Sequence, residues 1–355
     1  MTQQELTNDA ISLLKQLIET QSFSSEEHET ARHIEAWFKR YKIDYKRTKN
    51  NVWALNKYFD NNKPTLLLNS HHDTVKPNSA YTKNPFKAIV EDGKLYGLGS
   101  NDAGGCLVSL IATFTHFYNH KDLKYNLVIV ASAEEESSGP NGLNSMLSII
   151  PKVDVAIVGE PTLMNLAIAE KGLVVFDAIV EGTPSHAAHP NENNSIYNSI
   201  EVLQWFKDFK FEKGSEALGD VKLTVTQISA GSQHNVVPAD VKLVIDVRVN
   251  DAYTNAEIAD ILQNEAPCTS IVPRSLRLNS SSIPIDHDLV KAGIAMGRTT
   301  YGSPTLSDQA VLSCSSLKLG PGDSTRSHSA DEFIYLNEIE EGIKIYIELL
   351  NRVIV

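Results

Sequence analysis

The chain has 355 residues, 42% hydrophobic and 21% charged, with a formal net charge of −12. Length suggests about two domains, and the composition is that of a globular protein. The acidic excess argues against nucleic acid or an anionic membrane surface as the main partner. The first stretch, MTQQELTNDAISLLKQLIETQSF, has no basic n-region and no unbroken apolar core. Ile11, Leu14, Leu17 and Ile18 fall at helical spacing, so it reads as an amphipathic helix of the fold. No apolar run approaches about 18 residues, so no membrane-spanning helix is expected. Cys106, Cys268 and Cys314 form no CxxC pair. They fit a reducing cytoplasm, the expected location, better than a disulfide scaffold or a thiolate zinc site.

The next elements alternate. TARHIEAWFKRY is helical in pattern, TLLLNSHHD is a buried strand, and GGCLVSLIATFTHFYNH is a helix with an apolar face. NLVIVASAEEE and VDVAIVGEP are two more buried strands. Continuous apolar strands separated by helices predict an α/β domain with a mostly parallel sheet and helices on both faces. From about residue 171 the pattern changes. KGLVVFDAIVEG alternates, SIYNSIEVLQWFKDF is helical, and VKLTVTQISAG and ADVKLVIDVRVN are strands. NAEIADILQNEA is a helix and SIVPRSLRLNS a last strand. This β-α-β-β-α-β order is that of a ferredoxin-like unit. It predicts an insertion over residues 171–283 in a domain built from 1–170 and 284–355. HDLVKAGIAMGRTTYG and LNEIEEGIKIYIELLNRVIV then return as helices.

In parallel sheets, sites form at the carboxyl ends of strands. Three strands here end in candidate ligands: His71 and Asp73, the Glu134–Glu136 run, and Glu160. Strand alternation puts His71 and Asp73 on one face and His72 on the other. A ligating histidine needs an acceptor on its second ring nitrogen, and Asp73 is placed to serve. LYGLGSNDAGG carries Asp102 where a dinucleotide loop needs its third glycine, so a nucleotide reading is poor. GPGDSTRSHSADEF offers His328 in a glycine-rich loop. Taken singly, each has an ordinary reading: a polar strand end, a turn, a solvated charge run. Together, two histidines and several carboxylates match the N/O ligand set of zinc or a similar ion. A shared carboxylate with one His and one Glu per ion would make a dinuclear site. No Gly-x-Ser-x-Gly elbow supports a serine hydrolase.

These motifs, in this order, resemble the zinc-dependent aminoacylase/carboxypeptidase family (M20 metallopeptidase-like), on its acetylornithine deacetylase and N-acyl-citrulline deacylase side. The resemblance covers nearly the whole chain. It implies two Zn2+ ions, with Co2+ or Mn2+ as substitutes. It implies that His71 and Glu160 hold one ion, that Asp102 bridges, and that Glu136 and His328 hold the other. Asp73 would orient His71. Counting back from Gly142 makes Glu135 the general base; a shift by one would make the pair Glu134 and Glu135. The inserted domain would be a lid and homodimerisation domain. It would present His186 to a neighbouring subunit's site to stabilise an oxyanion, with Asn235, Arg248 and Gly322 near substrate. Arg248 has an alternative reading as a structural salt bridge. One departure stands out: DAGGC has Gly104 where the family commonly has lysine, and Cys106 at the second glycine.

The implied reaction is amide hydrolysis of a small N-acyl amino acid. The resemblance points to arginine biosynthesis: removal of an acetyl or succinyl group from N-acetylornithine or an N-acyl-citrulline. Alternatives are succinyl-diaminopimelate desuccinylation, small-peptide cleavage, and a metal-stabilised binding protein without catalysis.

Overall fold

The computed structural model describes residues 2–355. The chain divides into two compact units. One comprises the chain up to Ile168, Ser282–Tyr301 and Ser307–Val355; the other comprises Ala169–Ser281 and Gly302–Leu306.

In the first unit, α1 (Gln3–Ile18) starts at a capping box. Thr2 Oγ1 accepts from the Glu5 N–H, and the Glu5 carboxylate accepts from the Thr2 N–H. Leu6, Ala10, Leu13, Leu14 and Leu17 form its buried face. α2 (His28–Arg40) buries Ile34, Trp37 and Phe38. β1 (Tyr45–Thr48) and β2 (Asn51–Leu55) pair antiparallel. β3 (Thr65–His71) and β4 (Asn126–Ser132) are buried at every position. Between them runs α3 (Gly105–Phe117). β5 (Val155–Val158) follows, then β6 (Leu166–Glu170), whose last two residues already count with the second unit.

The second unit contains β7 (Gly172–Glu181), α4 (Ser195–Asp208), β8 (Lys222–Ala230), β9 (Asp240–Val249), α5 (Asn255–Glu265) and β10 (Ser270–Pro273). Its antiparallel sheet runs β8-β9-β7-β10. Alternate residues of β7 and β9, among them Phe176 and Ile245, point into a core shared with Val202 and Phe206 of α4 and Ile258 and Leu262 of α5. The last strand is shorter than SIVPRSLRLNS suggests. Beyond Pro273 the Leu276 carbonyl accepts from the Asn255 side chain, and the Leu278 carbonyl accepts from that side chain and from the Leu173 N–H at the start of β7.

The chain returns to the first unit with α6 (Asp288–Ala295), β11 (Ser315–Lys318) and α7 (Leu336–Ile354). The helix expected to run on to Gly302 stops at Ala295, because Gly297 takes φ +78° and turns the chain. Thr300–Ser303 is instead a strand. Gly302–Leu306 also belongs to the second unit, which the sequence reading placed wholly within 171–283. Lys171 N–H donates to the Ser303 carbonyl, and a Cβ on Gly302 would stand 2.0 Å from the Ala217 carbonyl oxygen.

The main sheet runs β1-β2-β4-β3-β5-β11-β6. It is parallel across β4, β3, β5 and β11 and antiparallel at β1–β2, β2–β4 and β11–β6. The two faces are covered unequally. Leu66, Leu68, Leu127, Ile129 and Ile157 pack with the long helices. Leu67, Val128, Val130 and Ala156 pack with the short helix Leu143–Met146, Ile150 and the flanking loops. No helix among the described residues is long and apolar enough to cross a membrane.

Candidate metal centre

The parallel register brings the strand ends together: His71 of β3 pairs with Ser132 of β4, and Asn69 with Val158 of β5. The residues just beyond these ends carry the site. His71 is 1% exposed. Its Nε2 lies 3.3 Å from Asp102 Oδ1, 3.7 Å from Glu160 Oε1 and 3.9 Å from Glu135 Oε2. His328 Nε2 lies 3.0 Å from Glu136 Oε2 and 3.6 Å from Asp102 Oδ2. The two oxygens of Asp102 thus face different histidines, as a bridging carboxylate requires.

Asp73 does more than the orienting part the sequence suggests. The nearest acceptor to His71 Nδ1 is the Asp73 main-chain carbonyl at 3.0 Å; the carboxylate stands off at 3.4 Å. That carbonyl puts the proton on Nδ1 and leaves a lone pair on Nε2 for a ligand. The Asp73 carboxylate also holds the acidic turn. Its Oδ1 accepts from the Glu135 N–H and its Oδ2 from the Glu136 N–H, each at 3.1 Å, and Ser24 Oγ donates to Oδ2 at 2.7 Å. His72 faces away: its Nε2 donates to the Asn50 carbonyl at 3.0 Å, and its Nδ1 lies 2.9 Å from Thr30 Oγ1. Burial pushes its pKa down to about 4, so it is neutral.

The three glutamates differ in surroundings. Glu134 has φ +55° and turns its carboxylate to the Asn141 N–H and side-chain amide, at 2.9 Å each, and to Ser25 Oγ at 3.0 Å. Glu135 and Glu136 point to the histidines. This geometry favours the Glu135/Glu136 register over Glu134/Glu135.

The donor set fits a divalent cation. His71 Nε2 is buried without a hydrogen-bond partner. Ligand atoms of His71, Asp102 and Glu136 lie within 4.8 Å of one another. The electrostatics agree. Burial pushes the Glu135 carboxyl well above its usual range, and burial with the charge of Asp102 lifts Glu160 to about 8. Burial alone would lower His71, but the charge of Glu135 and its contacts with Asp102 and Asp73 hold it well above the ordinary value. A field that favours a proton at Nε2 equally favours a metal ion there.

Three residues of this region escaped the sequence reading. Asp308, in the short turn Asp308–Val311, accepts from Ser132 Oγ at 2.6 Å, and burial lifts its pKa to about 6. Lys318, at the end of β11, is 3% exposed, and its charge draws the Glu160 pKa down. Glu332 lies behind Asp102; burial, then the charge of Asp102, lift it to about 8. In sequence these are an acid in a loop, a lysine ending a strand and one of two acids after His328, none with a spacing to single it out.

Gly322, read as substrate-lining, has φ +89°, and a Cβ there would stand 2.4 Å from Asn101 Oδ1; its place is a close crossing of two loops. The DAGGC departure has a local cause. A Cβ on Gly104 would meet the Gly99 carbonyl oxygen at 2.4 Å, and Cys106 is buried with its thiol donating to the Pro321 carbonyl at 3.2 Å.

His186, Asn235 and Arg248 lie in the second unit. His186 is exposed on the two-residue strand Ser185–His186, which pairs with Val236–Val237 next to Asn235. The Asn235 carbonyl accepts from the Ala187 N–H at 3.0 Å. Arg248 forms a bidentate pair with Asp246, two residues away on β9, at 2.8 and 3.1 Å. That is the geometry of the salt-bridge alternative; it engages the Nε–Nη2 edge of the guanidinium and does not involve Nη1.

Comparison with known proteins places this arrangement. The sequence model of "Peptidase family M20/M25/M40" matches residues 67–352. The succinyl-diaminopimelate desuccinylase of Rickettsia canadensis (strain McKiel) is 29% identical, with 71% of each chain covered. The succinyl-diaminopimelate desuccinylase 2 of Ruegeria sp. (strain TM1040) is 26% identical, covering 71% of this chain and 68% of that one. Among solved structures, a dinuclear metal-binding peptidase from the M20 family of Bacillus subtilis superposes with a TM-score of 0.75 at 15% identity, over 98% of each chain. The M20 family metallo-carboxypeptidase Sso-CP2 of Sulfolobus solfataricus gives 0.71 at 17%, over 97% of this chain and 99% of that one. At such identities the structures share the fold. The family match spans well over half the chain and takes in every candidate ligand, so the chain belongs to peptidase family M20/M25/M40, hydrolases that act on amide bonds.

Proposed function

We propose that this protein is a metal-dependent deacylase of N-acyl amino acids, using two divalent ions, zinc in the first place. The observation that carries the reading is the placement of Asp102 between two imidazoles, each with a further carboxylate. His71 and Glu160 would hold one ion and Glu136 and His328 the other, with Asp102 shared. Bound there, such ions polarise an acyl oxygen and acidify a water.

The chain's own residues do the rest. Glu135 takes the proton of the attacking water and returns it to the leaving amine; its raised pKa suits a group that must do both. Asp73 keeps Glu135 and Glu136 in place through their main-chain N–H groups. His186 would be presented to the site of a second copy of the chain, where it would stabilise the oxyanion. Its Nδ1 accepts from the Ala188 N–H at 3.1 Å, which leaves Nε2–H as the donor.

The acyl group has two readings. The resemblance of the motifs points to N-acetylornithine or an N-acetyl- or N-succinyl-citrulline, substrates of arginine biosynthesis. The relatives named desuccinylases favour a succinyl group, and succinyl-diaminopimelate as substrate. Turnover of N-acetyl and N-succinyl derivatives of ornithine, citrulline and diaminopimelate decides between them. Amine release from at least one, abolished by a chelator and restored by Zn2+ or Co2+, is expected. Chelator-resistant turnover, or none with any member, would count against the reading.

The second unit also offers a surface for a second copy of the chain, as a homodimer. β8 is an edge strand exposed over most of its length, with Ile228 56% exposed. Ile196, Tyr197 and Ile200 project from α4, which packs beside it. A long open edge flanked by apolar side chains invites antiparallel pairing with its own copy. Sedimentation should report a dimer for the native chain and a folded monomer for Ile200→Glu. If both sediment alike, this interface is wrong.

A further inference from the structure

Glu332 has no part in the reaction described above, yet it is 2% exposed and lies against the loop that carries Asp102. Its Oε1 accepts from the Asn101 N–H at 2.8 Å and the Asp102 N–H at 2.9 Å. Its Oε2 accepts from the Gly99 N–H at 3.1 Å. Its own carbonyl accepts from the Gly97 N–H at 3.0 Å. Three N–H groups of the Gly99–Asp102 segment therefore converge on one side chain, and that side chain comes from the loop of His328, four residues upstream. A second tie joins the same loops. Asn101 Nδ2 donates to the Asp323 carbonyl at 3.0 Å, and the Asp323 N–H donates to Asn101 Oδ1 at 3.1 Å.

We infer that Glu332 is a positioning residue that fixes the bridging carboxylate of Asp102 relative to His328. The inference rests on the ligand sets proposed above. Asp102 and His328 are two of the three ligands of one ion, and Glu332 ties the loops of both. The other ion also draws on His71, which ends β3, and Glu160, which follows β5, and neither is bonded to Glu332. Loss of the tie should therefore fall on one ion more than on the other. A carboxylate can accept from all three N–H groups. A glutamine must turn its NH2 toward at least one of them, donor against donor. Partners behind a ligand are worth about 10- to 100-fold in metal affinity.

The test titrates metal-free protein with Co2+, followed by calorimetry and by the d–d absorption of the bound ion. The wild type is expected to take two equivalents in resolvable steps. Glu332→Gln should weaken one step about tenfold or more and leave the other within about threefold. It should also speed amide exchange at residues 99–102 of the metal-free protein. Glu338→Gln is the control. It removes the Arg326 pair at 2.7 and 3.1 Å, close to the His328 loop, without touching Asp102. It should lower Tm without separating the two steps. Should Glu332→Gln not fold, Glu332→Asp keeps the acceptors but withdraws them by one methylene, and the same selective loss is expected of it. Two wild-type steps in the Glu332 variant, or an equal selective loss in Glu338→Gln, overturns the inference. A wild type that takes fewer than two ions overturns the ligand reading itself, and the inference with it.

Discussion

Glu135→Gln is expected to keep the fold and the bound metal and to lower turnover by about two to four orders of magnitude. Glutamine has the same shape, so no cavity forms. The main-chain N–H of residue 135 remains available to Asp73, so the turn stays in place. What disappears is the one carboxylate of the acidic run that stands near His71 without serving as a proposed ligand. Glu134 cannot stand in for it, because Asn141 and Ser25 occupy its oxygens. The measurement is kcat together with metal per chain. A metal-loaded variant with near-normal kcat would show that Glu135 is not the base, and Glu134→Gln would then be the next variant to assay.

The second large effect separates two adjacent histidines. His71→Ala should lose metal and reduce turnover by more than the roughly hundredfold that loss of an outer partner costs. Asp102, Glu135 and Glu160 all approach the buried Nε2 within 3.9 Å, and without the imidazole they face one another. His72→Ala should retain its metal. It strands the Asn50 carbonyl and removes a partner of Thr30, at a cost of about 1–3 kcal/mol in stability. Metal content and thermal melts of the two variants check this. Equal metal loss in both would refute the one-ligand reading of the pair.

Much of this site is legible in the sequence because several of its candidate ligands sit at strand ends. A buried run such as LLLNSHHD announces both a central parallel strand and where it stops. Period two then assigns His71 inward and His72 away. Asp102 and His328 lie in irregular loops, and only the resemblance to a family distinguishes them from ordinary turn residues. The acidic run shows the limit of pattern. AEEES gives no hint which glutamate turns aside; the positive φ of Glu134 and its hydrogen bonds to Asn141 decide it. Asp73 was readable as an orienting acid, but its hold on two main-chain N–H groups is a tertiary fact with no spacing signature. Asp308, Lys318 and Glu332 matter only through what the fold packs around them. The end of α6 at Gly297 was within reach, since glycine so often closes a helix. The return of Gly302–Leu306 to the second unit was not, because it depends on the Ala217 backbone far away in sequence.

That short return has a bearing on transplantation. A unit made of one continuous stretch could be cut out, grown alone or exchanged between relatives at a single pair of junctions. This one could not. A graft spanning Ala169–Ser281 would leave behind the five residues Gly302–Leu306 that complete it. It would uncover the Lys171 N–H and the carbonyl of Ala217 beside which only glycine fits. Moving this unit into another chain therefore requires moving both pieces together.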